Sequence, residues 1–356
     1  MTLRLLCWDH DRCVRPMRAA AAAWRMRAGV QVEVSARPLA AFNDQPVSEL
    51  TDDYDLVFVD HPFVGTAAEV GCLAALDELL EPEQLAALAT GAVGPSHASY
   101  AYGGHQWALA TDAACQVAVA RDDLLSGPVP SSWDEVVALA RRAPGTVAMP
   151  LYPSDVMCSL LTLHANAGRP FDPRVGFEPA VLARLLELVP HLHPASFGAN
   201  PPALLDGMSA GDEIAYVPLC FGYASYAPRL RFLDIVGVSG SILGGAGLAV
   251  SAAGPRREAA AAFAAWVSGS AAQRVVVAPN GGQPGSAAAW DDAGGFFAAT
   301  RATIEAAWVR PRDPWWPAVQ RAAGERLAER LRAAPDPELL AAELNDLIPT
   351  PQEVHP

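Results

Sequence analysis

"YDLVFVDHPFVG", residues 54–65, joins an unbroken apolar run to an acid, a histidine and a proline. A short continuous apolar run, without polar alternation, fits a parallel strand covered on both faces. The switch at Asp60-His61-Pro62 marks where that core stops. The same switch stands at the N-terminus, where "LRLLCWDHDR" runs an apolar strand (3–8) into Trp8-Asp9-His10. In open α/β sheets, ligands lie beyond the carboxyl ends of the strands. Two strands ending in Asp-His therefore place those dipeptides where a site would form.

Strand and helix signals alternate outward from this stretch. "RPMRAAAAAWRMRAG" (15–29) reads as a helix stopped by Gly29, and "VQVEVSA" (30–36) as an alternating strand. "VGTAAEVGCLAAL" (64–76) is helical at first. This βαβ…β order predicts a doubly wound lobe. "QWALATDAACQVAVARDDLL" (106–125) holds two apolar stretches around Thr111-Asp112. "PSSWDEVVALARRAPG" (130–145) starts a helix at Ser131 or Ser132, with Glu135 placed for a capping box. "TVAMPLYPSD" (146–155) reads as a strand and "SDVMCSLLTLHANAG" (154–168) as a helix. "EIAYVPLCFGYASYA" (213–227) is strand-like, and "SILGGAGLAVSAAG" (241–254) passes through a glycine turn into a strand. "RREAAAAFAAWVSG" (256–269) is a strong helix, and the last sixty or so residues are mostly helical with a Pro-rich tail. No linker separates the parts, so segments must cross between two lobes. Crossings are expected near Ala108–Ala114 and Gly244–Leu248.

A chain of 356 residues suggests about two domains. Its formal charge is −14, and all 25 basic residues are arginine, as high-GC bacterial coding bias would give. The acidic balance argues against nucleic acid and anionic membrane surfaces as partners. No run of about twenty apolar residues is present, so no membrane insertion is expected. The chain opens on a strand and not on a charged-then-apolar leader. It is expected in the cytoplasm if it natively begins here, and exported if a leader is removed. The six cysteines are scattered and read as buried free thiols. No metal or cofactor is expected. His191 and His193 read as a surface loop.

The ordered set of segments resembles the extracellular solute-binding proteins of ABC importers, which have a type II periplasmic-binding-protein fold. "YDLVFVDHPFVGTAAEVGCLAALDELL", "SYAYGGHQWALATDAACQVAVARDDLL", "VPSSWDEVVALA", "LLDGMSAGDEIAY" and "LGGAGLAVSAAGPRREAAAAFAAWVSGSAAQRVVVAPNGGQPG" carry the resemblance, the last most specifically. The resemblance implies an α/β fold of two lobes with a ligand cleft between them. Lobe I would be 1–109 plus 247–300, lobe II 110–246, and 301–356 C-terminal helices packing on both. Against the family's habit, the sequence as read from Met1 leads to the expectation of no secretion signal or lipid-attachment cysteine. It also carries Asp-His where sugar binders more often present neutral polar and aromatic groups.

Trp8, Asp9, His10, Asp60, His61 and Phe63 would line the first lobe's edge, with Trp107 as a further wall. Tyr152, Ser154, Asp155, Phe221, Tyr223 and Tyr226 would face them from the second lobe. The Gly244-Gly245 turn would let backbone approach a ligand, and Asn280 and Gln283 would bond ligand hydroxyls. Each has a plainer reading: Asp9 and Asp60 suit helix caps, the histidines suit structural roles, Trp8 and Trp107 suit core, and the glycines suit turns. Two functions follow. One is a solute-binding protein closing on a small polar organic ligand such as a saccharide, for an ABC transporter's membrane component. The other is a cytoplasmic enzyme on the same fold, a lyase, dehydratase or isomerase, using Asp9, His10, Asp60 and His61 as general acids and bases. No Ser-His-Asp motif, phosphate loop or dinucleotide fingerprint is present.

Overall fold

The computed structural model describes residues 1–38 and 46–349; the expected Pro-rich tail lies largely outside them. The chain runs β1 (Thr2–Trp8), α1 (Asp11–Ala28), β2 (Gln31–Arg37), β3 (Leu56–Val59), α2 (Val64–Val70), α3 (Pro82–Thr90) and β4 (Ala108–Ala120). It continues through α4 (Trp133–Arg142), α5 (Pro153–Asn166), α6 (Pro179–Leu188), α7 (Pro201–Ala210), β5 (Tyr216–Phe221), β6 (Arg231–Leu233) and β7 (Leu243–Val250). Helices α8 (Arg257–Ser268), α9 (Ala287–Ala293), α10 (Trp316–Arg330) and α11 (Pro337–Asn345) follow. Two compact units result. Unit 1 is 1–114, 243–298 and 309–314; unit 2 is 115–242, 299–308 and 315–356. The C-terminal stretch is divided between the units.

In unit 1, β1 pairs in parallel with β2, Thr2 opposite Gln31 through Trp8 opposite Arg37, and with β3, Leu5 opposite Leu56. β7 returns antiparallel to β3, Val59 opposite Gly247. Successive β3 side chains go to opposite faces. Leu56 and Phe58 join Leu3, Leu5, Met17, Trp24 and Phe263 on one side, while Val57 and Val59 join Leu6, Val64 and Tyr100 on the other. Both faces are covered, which is why the run shows no alternation. Gly247 admits the Tyr100 ring, since a Cβ there would sit 2.7 Å from it.

In unit 2 the second half of β4 pairs antiparallel with β5 and β6. α10 packs on α5 at Gly324, where a Cβ would collide with the Pro153 carbonyl. Ser132 caps α4, accepting from the Glu135 N–H at 3.2 Å, and Glu135 Oε2 accepts from the Ser131 N–H at 2.7 Å. The expected cap is formed at Ser132, with Glu135 reaching back to Ser131, one residue before it.

Several elements differ from the sequence reading. α1 begins at Asp11, four residues early, because His10 Nδ1 accepts from the Arg12 N–H at 3.0 Å and so caps it. β4 is one strand, buried throughout, and not two stretches around Thr111-Asp112. Its polar pair is satisfied internally, Thr111 by Ser268 at 2.7 Å and Asp112 by Arg12. Residues 146–155 form no strand: Val147 makes isolated parallel bridges to Leu192 and Tyr216 before Pro153 starts α5. Gly244 and Gly245 lie within β7 and not in a turn. Gly245 has φ 103°, and any Cβ would collide with the Asp112 carbonyl, so glycine serves strand-to-strand approach there.

Candidate functional site

The end of β3 holds the most developed polar cluster of unit 1. Asp60 Oδ1 accepts from the His61 N–H at 2.9 Å, capping the short 3₁₀ turn His61–Phe63 that Pro62 pre-sets. Arg310 Nη2 donates to both Asp60 oxygens at 2.8 Å. The Arg310 side chain is only 4% exposed, so this pair stands largely out of water. His61 is fully buried, its ring edge-on to Tyr100 at 6.2 Å between centroids. Its Nδ1 lies 3.3 Å from Asp60 Oδ1, off the line of a hydrogen bond, and neither ring nitrogen has a hydrogen-bond partner.

The charges of this cluster follow from its surroundings. Burial would raise the Asp60 pKa, but the Arg310 guanidinium and His61 outweigh it and hold Asp60 at about 2. Burial first, and then Arg310, push His61 down to about 4, against the pull of Asp60. At neutral pH the cluster is a carboxylate, a guanidinium and a neutral imidazole. Arg310 lies in the stretch Val309–Pro314, which Arg312 ties down by donating to the Ala98 carbonyl at 2.9 Å and the Ala101 carbonyl at 2.7 Å. Thr66 Oγ1 donates to the Pro314 carbonyl at 3.2 Å. Sequence reading saw this stretch only as part of a helical C-terminus. Neither arginine in "VRPRDP" carries a periodic signal that would single it out.

The end of β1 is built differently. Asp9 is exposed, and its N–H donates to the Arg37 carbonyl at 2.7 Å. The cap of α1 is His10, so the capping reading of Asp9 is corrected. Trp8 is buried, edge-on to Phe58 at 5.4 Å, as part of the core. Beneath this loop Arg12 grips Asp112 through Nε at 2.7 Å and through Nη2. Burial pushes Asp112 up, and Arg12 opposes it. Elsewhere in unit 1, Phe63 and Trp107 are half-buried, with Trp107 Nε1 donating to the Tyr102 carbonyl at 2.9 Å. Asn280 donates to the Val276 carbonyl at 2.8 Å. Gln283 is buried, and its carbonyl accepts from the Ala113 N–H at 3.0 Å.

In unit 2, Tyr152 is 42% exposed at the start of α5, Ser154 is half-buried and Asp155 is buried. Phe221 ends β5 half-buried. Tyr223 is buried and stands edge-on to Tyr226, whose hydroxyl donates to Asp206 at 2.8 Å. Among the described residues no cluster of His, Cys, Asp and Glu has the makings of a metal site, and no helix is long and apolar enough to cross a membrane.

No protein-family model matches the chain, and no curated protein matches its sequence. Solved structures match it end to end. Maltose-bound MalE3 of T. maritima superposes with a TM-score of 0.82 at 15% identity, over 98% of each chain. An ABC-transporter solute-binding protein of Agrobacterium radiobacter, in complex with ribitol, gives 0.79 at 20% identity over 98% of each chain. Another from Thermotoga lettingae, bound to α-D-tagatose, gives 0.80 at 16% over 98% of this chain and all of that one. The fold is therefore the two-lobed α/β fold of type II periplasmic-binding proteins, as shared by the solute-binding proteins of ABC transporters. The three matches named here hold maltose, ribitol and α-D-tagatose.

Proposed function

We propose that the chain is a solute-binding protein that closes its two lobes on a small polar organic ligand of the saccharide or polyol class and delivers it to an ABC transporter's membrane component. The observation that carries this reading is the end-to-end match to three proteins holding polyhydroxylated ligands. In this reading Asp9, His10 and Asp60 bond ligand hydroxyls, together with Ser154 of the other lobe. Phe63, Trp107, Tyr152 and Phe221 supply apolar faces for the ring or chain carbons.

The protonation states also favour binding over acid–base catalysis. A general base works best with a pKa near the operating pH. Asp60, held at about 2 by Arg310, is a weak base, and His61, held at about 4, takes up no proton at neutral pH. Nδ1 of His10 is committed to the Arg12 N–H. These groups suit fixed hydrogen bonding better than proton shuttling.

The test is a thermal-shift panel with maltose, ribitol and tagatose, followed by mass analysis of the recovered compound. A ligand at a hundredfold excess over Kd should stabilise the protein by about 2.7 kcal/mol and come back unchanged. Conversion of the compound would overturn the reading in favour of an enzyme. No stabilisation by any saccharide or polyol would overturn the ligand class.

A further inference from the structure

Where α3, the end of α8 and the start of β4 meet, unit 1 holds a cavity of about 330 Å³, large enough for a small organic ligand. The helix beside it is lightly seated: no residue of α3 is fully buried, and Leu85 and Leu88 reach the core only half-buried. Leu88, Leu109, Ala110 and Ala265 give the cavity apolar walls. Its serines already have partners. Ser268 Oγ shares a hydrogen bond of 2.7 Å with Thr111 Oγ1, and Ser270 Oγ one of 2.9 Å with Ser286 Oγ. The buried Gln273, in the π-helical turn Gln273–Val277, accepts from the Gly285 N–H at 2.8 Å. It donates to the Thr111 and Val267 carbonyls at 3.2 and 2.7 Å. Gly285 and the end of α8 are thereby held in place around the space. His97 is different. Its backbone is pinned, the carbonyl accepting from Gln106 Nε2 at 3.0 Å. Its side chain lines the cavity, and neither ring nitrogen makes a hydrogen bond among the described residues. Burial pushes the His97 pKa down, so at neutral pH the ring is an uncharged imidazole with one donor and one acceptor nitrogen. Among the described residues no Asp, Glu or Arg lines the cavity.

We propose that this cavity binds a small uncharged molecule that joins a flat apolar body to a single hydroxyl, the class of phenols and aryl alcohols, with the hydroxyl on the His97 ring. Alanine and leucine walls suit the apolar body, whose transfer out of water supplies the binding free energy. A hydroxyl both donates and accepts, so it pairs with the imidazole nitrogen facing it in either tautomer. A carboxylate would bring a charge with no cation to meet it. A saccharide would bring several hydroxyls to apolar walls and leave most of them unpaired. The inference goes beyond the solute-binding reading, and none of the residues assigned to the saccharide or polyol lines this cavity.

The experiment titrates the full chain, isotope-labelled at methyl groups and histidine rings, with phenol at low millimolar concentration and follows it by NMR. Benzene and benzoate are the comparison probes. The methyl signals of Leu88, Leu109 and Ala110 and the ring signals of His97 should move together with phenol and saturate. Benzene, without the hydroxyl, should bind roughly three- to tenfold more weakly, the worth of one hydrogen bond. Benzoate should bind more weakly than phenol by about tenfold or more. Ala87 also lines the cavity and is exposed on α3, so Ala87→Leu fills the space without touching the core and should abolish the saturable shift. His97→Phe keeps a ring in place and should bring phenol and benzene to equal affinity. A phenol response that does not saturate, that centres on residues outside the cavity, or that survives unchanged in Ala87→Leu overturns the proposal. Benzoate binding as tight as phenol overturns the ligand class, and a preference for phenol that persists in His97→Phe overturns the role of His97. The comparison of the three probes on the wild-type chain needs no variant to fold.

Discussion

The two units differ in the polar groups that are best held at their centres. Unit 1 buries two charge pairs, Arg12 with Asp112 and Arg310 with Asp60 beside a neutral His61, and ties the buried Asp55 to the more exposed Arg256 at 2.8 Å. In unit 2 the central buried network is neutral. Gln116 Nε2 donates to Ser159 Oγ at 3.0 Å, and Thr162 Oγ1 donates to Gln116 Oε1 at 2.6 Å. Ser241 Oγ donates to the Gln116 carbonyl at 2.6 Å, and the Ile242 N–H donates to Thr162 at 3.1 Å. Charge pairs bind their partners strongly but leave a costly remnant when broken. Neutral networks cost less to disturb and do not titrate. The difference makes the charge pairs of unit 1 more sensitive to substitution and to pH than the neutral network of unit 2.

The largest test removes one buried charge. Asp112→Leu takes the carboxylate from Arg12, whose side chain is 6% exposed. Breaking such a pair costs about 3–5 kcal/mol, most of it from the stranded charge. The midpoint of urea unfolding should drop accordingly, and the paired change Arg12→Met with Asp112→Leu should recover much of the loss. If the single variant unfolds like the wild type, the pair contributes nothing and the contrast between the units fails.

A smaller effect comes from pH. His61 sits at about 4 in the folded chain, below the ordinary histidine value near 6.5. Between those values the unfolded chain takes a proton that the folded one refuses. The stability tied to a neutral His61 is thus full above about pH 6.5 and is lost as pH falls towards 4. The loss amounts to roughly 3 kcal/mol at most. Asp60, held at about 2, adds a second loss as pH falls from the ordinary carboxylate range near 4 through 2. Urea midpoints measured at pH 7 and pH 4.5 should differ less in His61→Gln than in the wild type. Equal slopes in the two chains would remove His61 as the cause.

The sequence shows the strands, their ends and the capped helices because those rest on local chemistry. "LVFV" reads as a two-faced strand, Gly29 as a helix stop, and Ser132 with Glu135 as a cap. It hides what long-range partners decide. Thr111-Asp112 looks like an interruption of β4 only because Arg12 and Ser268 come from distant segments to satisfy it. Gly244-Gly245 looks like a turn because the collision that demands glycine at 245 involves the Asp112 carbonyl, more than a hundred residues earlier. The Asp-His dipeptides mark strand ends, but nothing in them reveals Arg310, 250 residues away, which sets the charge of Asp60. Trp8 reads equally as wall or core, and its contact with Phe58 puts it in the core.

The smallest test addresses the neutral side of the contrast. Thr162→Val keeps the shape of the side chain and removes its hydroxyl. Two bonds are lost at once: the one to Gln116 Oε1, and the one accepted from the Ile242 N–H. Both atoms left behind lie in a fully buried region, since Gln116 is 1% exposed and Ile242 and Thr162 are 0% exposed. A buried polar group without a partner costs about 1–3 kcal/mol, and the apolar methyl that replaces the hydroxyl recovers part of that. The expected destabilisation is therefore about 1–3 kcal/mol, below that of Asp112→Leu. Because no group here titrates, the urea-midpoint difference from the wild type should be the same at pH 7 and pH 4.5. A loss that grows as pH falls would mean that the neutral network communicates with a titrating group, and the contrast between the charge pairs of unit 1 and this neutral network would no longer hold.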